Sequence, residues 1–174
     1  MFNSDRINRV ADLLTIIACV AVLLIVGYKF FIPLFLASQR EFPLPGTQVP
    51  ISKIEANLQN RNALIAISPD CSYCIQSTEF YKKLLSSDFP ADRKFFVLFD
   101  HSDLEKANDF LNKYELNGLR NEAQHFSVNF KEFGVTATPT IIVTDQKGVV
   151  IRTWVGKLTG SQEVELFSLL KNST

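Results

Sequence analysis

Cys71 and Cys74 stand three residues apart in Cys71-Ser72-Tyr73-Cys74, a spacing that lets two thiols close a reversible disulfide and trade it with another protein's cysteines. The attacking species is the thiolate, so the surroundings decide the chemistry. Upstream, Ala63-Leu64-Ile65-Ala66-Ile67-Ser68 reads as a buried strand, and downstream Ile75 to Leu85 carries apolar residues at helical spacing: Ile75, Phe80, Tyr81, Leu84 and Leu85. The dithiol therefore falls where a strand hands over to a helix. A helix start presents free N–H groups and the positive end of the dipole, both of which favour a thiolate. Cys71 is the expected nucleophile. Cys74, one turn further along the same face and more buried, is placed to attack the mixed disulfide on Cys71 and release the partner. Zinc is the competing use of paired cysteines. It needs four ligands, and the sequence offers no second Cys pair and no His-x-His cluster.

The elements around the dithiol follow from the same patterns. Phe95 to Asp100 reads as a second buried strand and Leu104 to Leu111 as a helix, with Ser102 or Asp103 as N-cap. Ala137 to Thr144 and Val149 to Trp154 read as two strands joined by an Asp145-Gln146-Lys147-Gly148 turn, an antiparallel hairpin. A last amphipathic helix follows through Leu166, Phe167, Leu169 and Leu170, with Ser161 as N-cap. Between residues 114 and 128 the pattern is weaker. Asn117-Gly118 suggests a turn, Glu122 to Phe126 a short strand, and Val128 to Phe133 a short helix. Alternating strands and helices give an α/β layer fold with a central mixed sheet flanked by helices.

A Cys-x-x-Cys at a helix start, a following βα unit, and then Phe133-Gly134-Val135-Thr136-Ala137-Thr138-Pro139-Thr140 leading into a hairpin and a last helix resembles the thioredoxin fold. The chain is most similar to the membrane-anchored thioredoxin-like thiol-disulfide proteins of the TlpA and ResA types, over residues 45 to 172. That resemblance implies an enzyme, a thiol-disulfide oxidoreductase with Cys71 and Cys74 as its catalytic pair and no cofactor or metal. It implies a cis peptide bond before Pro139, beside the dithiol, with the backbone of Thr138 pairing to an extended substrate segment and Ser72, Tyr73, Thr138 and Pro139 forming the substrate surface. The partners are protein thiols and disulfides and a membrane or soluble redox donor. Thr138 before the proline resembles reducing members of the fold.

Two positions depart from the pattern. Thioredoxins proper carry a Trp immediately before the first cysteine and a buried acid six residues before it, where this chain has Asp70 and Ile65. No glutamate of the ResA kind follows either: Ser77 stands three residues past Cys74, and the nearest acid is Glu79. The proton acceptor for Cys74 is thus unassigned. Asp70 either opposes the Cys71 thiolate or turns outward as a solvated capping acid, the simpler reading.

From Val10 to Tyr28 the chain is apolar except for Asp12 and Thr15, and apolar residues continue past Lys29 to Leu36. That is long enough to cross a bilayer, longer than a signal-peptide core, and apolar on all helix faces. The reading is a cytoplasmic tail (1–9), a transmembrane helix (10–36), a linker (37–50) rich in proline, and a thioredoxin-like domain (51–174). Arg6 and Arg9 precede the span and Lys29 and Arg40 follow it, so charge favours a cytoplasmic N-terminus only slightly. Persistent disulfides belong outside the cytoplasm, which places the domain in the periplasm or at the cell exterior.

Lys and Arg number 18 and Asp and Glu 18, and no basic cluster is interleaved with aromatics, so nucleic-acid binding has no electrostatic footprint. The fifteen phenylalanines fit strands and amphipathic helix faces, and Cys19 lies within the apolar span. Two alternatives keep a place. His101 or His125 could join the dithiol in a copper-binding module, and Ser68-Pro69-Asp70-Cys71 is a degenerate version of a peroxiredoxin motif.

Overall fold

The computed structural model describes residues 42–54, 58–116 and 123–172, together with positions 14, 17–22, 25, 27 and 29 near the N-terminus. The chain divides into two compact units, Met1–Arg40 and Glu41–Thr174. In the first, the described positions are helical, and Leu14, Ile17, Val20, Val22 and Ile25 each expose half of their surface or more. Among the described residues no helix is long and apolar enough to cross a membrane. Most of the expected span, 10–36, lies outside the described residues.

The second unit is built on a five-stranded sheet ordered β3-β2-β1-β4-β5. Its strands are β1 (Arg61–Ala66), β2 (Arg93–Asp100), β3 (Ala123–Val128), β4 (Thr140–Asp145) and β5 (Val150–Val155). β1, β2 and β3 run parallel, while β4 is antiparallel to β1 and to β5. The central strand β1 is buried along its whole length, which is why Ala63 to Ala66 read as a continuous apolar run with no alternation. Among the described residues the α-helices of the unit are α1 (Ser72–Gln76), α2 (Thr78–Leu85), α3 (Leu104–Lys113) and α4 (Gly160–Lys171).

Period-two alternation sorts the sheet into two cores. Ala63 and Ile65 of β1, Phe95, Val97 and Phe99 of β2, and Ile141 and Val143 of β4 face Cys74, Tyr81, Leu84, Phe110, Leu166 and Leu170 from the helices. Leu64, Ala66, Phe96, Leu98 and Ile142 face the other way, toward Val49, Val128, Phe133 and Val135. The four described α-helices thus contribute to one core, and the second face is packed by Val49, Ile51 of a 3-10 turn (Ile51–Ile54), Leu58, Phe130, Phe133 and Val135. Each large side chain buried this way contributes about 1.5–3 kcal/mol.

Several local expectations also change. The helix expected from Ile75 to Leu85 is two helices, broken at Ser77, whose φ of −98° and ψ of 4° leave the helical range. The short helix expected from Val128 to Phe133 is instead a run of tight turns, with Phe133 N–H bonded to Phe130 O and Gly134 N–H to Lys131 O. Thr159, not Ser161, caps α4, its N–H bonded to Gln162 Oε1 at 2.9 Å. A three-residue 3-10 turn, His101–Asp103, precedes α3, with Asp100 capping it through Ser102 N–H. The Asn117-Gly118 turn lies outside the described residues.

Of the expected linker, 37–50, the residues from Phe42 onward are described. Gly46 N–H reaches Val150 O, Val150 N–H reaches Thr47 O, and Gln48 bridges Val149, so this segment lies along the start of β5. Thr153 Oγ1 donates to Pro43 O at 2.6 Å. The prolines prevent a helix, as read, but the extended chain spends its hydrogen bonds on the domain. Phe42 to Pro50 are grouped with the unit Glu41–Thr174.

Candidate active site at the dithiol

β1 delivers the chain to the surface end of the sheet, and the loop 67–70 turns it into α1. Cys71 N–H bonds to Ser68 O at 3.1 Å, closing that turn. With φ −81° and ψ 117°, Cys71 is extended and occupies the N-cap, where its Sγ accepts from Cys74 N–H at 3.4 Å. A sulfur at an N-cap replaces the oxygen of a usual cap and receives a donor that favours its anionic form. Cys71 is half-buried, and Cys74 is fully buried within the core behind it. Both are free thiols, the reduced form of the pair.

The loop before β4 comes to the same place. The Thr138–Pro139 peptide bond is cis, as the resemblance implies. Thr138 O accepts from the Cys71 thiol at 3.2 Å, so residues 67 positions apart in sequence meet at the reactive sulfur. Thr140 Oγ1 donates to Ala137 O at 2.7 Å, and Gly156 N–H to Pro139 O at 2.7 Å, which tie the loop to β4 and to the end of β5. Ser72 and Tyr73 are exposed beside it, Tyr73 by 57 %, and Pro139 is buried. The six residues predicted from sequence therefore lie within two adjoining segments.

The two thiols are driven apart electrostatically. Partial burial pushes Cys71 up, but hydrogen bonds from Thr138, Cys74 and Tyr73 outweigh it and leave the thiol below its ordinary 9.0. The Thr138 carbonyl serves the protonated thiol, and the donors serve the thiolate. Cys74 is pushed up to about 12, first by burial and then by the neighbouring Cys71, against a lowering contribution from the Ser68 backbone. One sulfur is set to ionise and attack; the other holds its proton.

Asp70 does not cap the helix, because Cys71 holds that position. It forms an ion pair with Lys106 of α3, with both side chains largely exposed. The pair sets a cation against the one carboxylate adjacent to the nucleophile. Sequence reading missed Lys106, and its only signal was an unplaced cation on a helix expected to pack nearby. Ile65 is fully buried in the core that holds Cys74, and Glu79 pairs with Lys82 at the surface. His101 Nδ1 lies 2.7 Å from Ser127 Oγ, away from the dithiol in its hydrogen bonding. Among the described residues no three His, Cys, Asp or Glu side chains gather to hold a metal, so the copper alternative finds no such group here.

The sequence matches the family model described as a thioredoxin-like domain over residues 50–170. The chain belongs to the thioredoxin-like family. No curated protein matches it by sequence. Among solved structures, this thioredoxin-like chain is similar to a thiol-disulfide isomerase from Corynebacterium glutamicum, with 16% identity, 70% of this chain and 86% of that chain covered, and a TM-score of 0.54. It is also similar to the thioredoxin domain of a thiol-disulfide oxidoreductase from Bacteroides vulgatus, with 11% identity, coverage of 74% and 99%, and a TM-score of 0.53. A secreted Mycobacterium tuberculosis disulfide oxidoreductase, homologous to E. coli DsbE, gives 14% identity, coverage of 76% and 97%, and a TM-score of 0.50. At these identities the likeness is one of fold. Within that fold, a thioredoxin-like chain with a reactive thiol at the helix start and a buried partner thiol has the apparatus of a thiol-disulfide oxidoreductase.

Proposed function

We propose that this protein is a membrane-anchored thiol-disulfide oxidoreductase that reduces disulfides of partner proteins on the outer side of the cytoplasmic membrane. The observation that carries the exchange reading is the split between the half-buried Cys71, held by Cys74 N–H and Thr138, and the fully buried Cys74. Cys71 thiolate attacks a partner disulfide, forming a mixed disulfide and freeing one partner thiolate. Cys74 then attacks Cys71 Sγ, its proton passing to the partner, and the second partner sulfur leaves. The Cys71–Cys74 disulfide that forms carries the two electrons' worth of oxidation, and a redox donor returns the pair to dithiol.

The direction is supported by Thr138 before Pro139, which resembles reducing members of the fold. The exposed apolar side chains Leu14, Ile17, Val20, Val22 and Ile25 at helical positions support the anchor, since an apolar helix surface calls for an apolar surrounding. The single-pass, N-in orientation rests on the redox compartment in which disulfides persist.

The test of exchange is Cys74→Ser in the full-length protein. It should accumulate mixed disulfides on Cys71 in membranes, visible as thiol-sensitive adducts, and their absence would sink the exchange reading. The test of direction is the reduction potential, obtained by equilibrating the solubilised protein in graded thiol/disulfide buffers and alkylating the free cysteines. A value at or below roughly −250 mV supports a reductant, and one near −120 mV would make it an oxidant.

A further inference from the structure

One buried polar group beside the dithiol has no task in the exchange as described. Ser77, at the break between α1 and α2, links the two thiol-side residues: its N–H bonds to Cys74 O at 3.1 Å and its carbonyl accepts from Tyr81 N–H at 3.0 Å, with Thr78 the next residue along. All four are buried, Tyr81 to 1 % and Cys74 completely, and Tyr81 and Cys74 share one core. The Tyr81 hydroxyl makes no hydrogen bond in this reduced form. It nonetheless lies near enough to Cys74, Ser77 and Cys71 to feel each of them, while burial pushes its own ionisation far up. Tyr81 therefore stays an O–H donor at any ordinary pH.

A buried hydroxyl without a partner is costly, and a core that only needed the ring would be served by Phe. Ser77 Oγ donates its proton to Tyr73 O at 2.7 Å and stays a neutral acceptor throughout. Of the nearby acceptors, the Cys74 sulfur is the one whose charge changes in the exchange, weak as a thiol and strong as a thiolate. The groups acting on that sulfur come from three places: the Ser68 backbone and Cys71 at the start of α1, Thr138 from the loop before β4, and Tyr81 from α2. Ile65 occupies the position where a buried acid would stand, so the site holds a neutral donor instead of a base.

We propose that Tyr81 is a positioning residue for the resolving thiol, its hydroxyl donating a hydrogen bond to the Cys74 sulfur as that thiol ionises in the mixed disulfide. The inference rests on the exchange reading above. In the step concerned, the Cys74 S–H bond breaks and its proton goes to the departing partner sulfur. The Cys71–partner S–S bond breaks, and the Cys71–Cys74 S–S bond forms. Tyr81 neither gains nor loses a proton; it holds the sulfur's developing charge in a pocket that otherwise opposes it.

The experiment is stopped-flow reaction of the reduced, detergent-solubilised full-length protein with the chromogenic disulfide of 5-thio-2-nitrobenzoate, from pH 6 to pH 9. A first release of the chromophore, dependent on reagent concentration, reports attack by Cys71, and a second, independent of it, reports resolution by Cys74. Tyr81→Phe should leave the first phase unchanged and slow the second about tenfold, with its rise displaced to higher pH. Because Phe fills the same space and removes an unpartnered hydroxyl, the melting temperature should hold or rise. A second phase as fast as wild type, or both phases slowed alike, would overturn the role of Tyr81 alone. A wild-type protein with no second phase would instead bring down the exchange reading, and Tyr81's role with it.

Discussion

At the scale of single residues, the site works by giving two identical side chains different surroundings. Cys71 sits at an N-cap with donors around its sulfur, and Cys74 sits three residues on with its sulfur in the core. Their reactivities should therefore separate with pH. Because thiolate is the reactive form and its fraction rises through the pKa, alkylation of Cys71 by iodoacetamide should climb along a curve centred below 9.0, while Cys74 resists until pH approaches about 12. Peptide mapping of reduced protein alkylated at each pH would check this, and equal labelling of the two cysteines at pH 8 would contradict it. The spacing of the cysteines and their order of attack were legible in the sequence, and a place for Thr138-Pro139 beside them was implied by the family resemblance. Lys106 was not, because its meeting with Asp70 depends on where α3 docks, and spacing along one helix says nothing of a loop on another element.

At the scale of elements, the reactive loop is held by pieces whose connection runs through Asp100 at the end of β2. One carboxylate oxygen accepts from Ser102 N–H and the other from Phe130 N–H, both at 3.1 Å, so one side chain starts the 3-10 turn before α3 and anchors the turns leading to Thr138-Pro139. The Phe130 and Ser102 backbone N–H groups hold the Asp100 carboxyl below its ordinary 3.8. A carboxyl lowered in the folded state stabilises the fold fully above its unfolded value, and that contribution is lost as pH falls through the lowered folded value. Asp100→Ala should cost about 1–2 kcal/mol at neutral pH, read from chemical denaturation, and should show a shallower loss of stability on acidification below about pH 4 than wild type. Sequence patterns located β1, β2, the hairpin and α3 because their apolar periodicity is strong. They misjudged the break at Ser77 and the turns at 129–134, where apolar residues three to five apart fit a helix equally well and only the hydrogen bonds actually formed distinguish them.

At the scale of the whole molecule, the two units have separate physical requirements. The unit Glu41–Thr174 carries both cores, while described positions of Met1–Arg40 present exposed apolar side chains. Under the proposed anchoring, the full-length protein should stay with membranes after washing at alkaline pH and high salt, because apolar insertion is insensitive to both. Cys71 in intact cells should then be modified by a thiol reagent that does not enter the cytoplasm. Release into the wash would remove the anchor from the reading, and protection of Cys71 in intact but not broken cells would reverse the orientation.

The sequence by itself determined the dithiol, the α/β class, the family resemblance and the apolar N-terminal run, since each is a local pattern of residue type and spacing. Only the tertiary structure decided that Phe42 to Pro50 belongs to the domain, that the described helices share one core, and that Thr138 O meets the Cys71 sulfur. It also decided that Tyr81 carries an unpartnered hydroxyl at the resolving thiol, a residue that periodicity alone counts as one more apolar position. The physical reason is the same in each case. Period and composition report which face of an element is buried, whereas the partner of a buried polar group is set by the packing of elements distant in sequence.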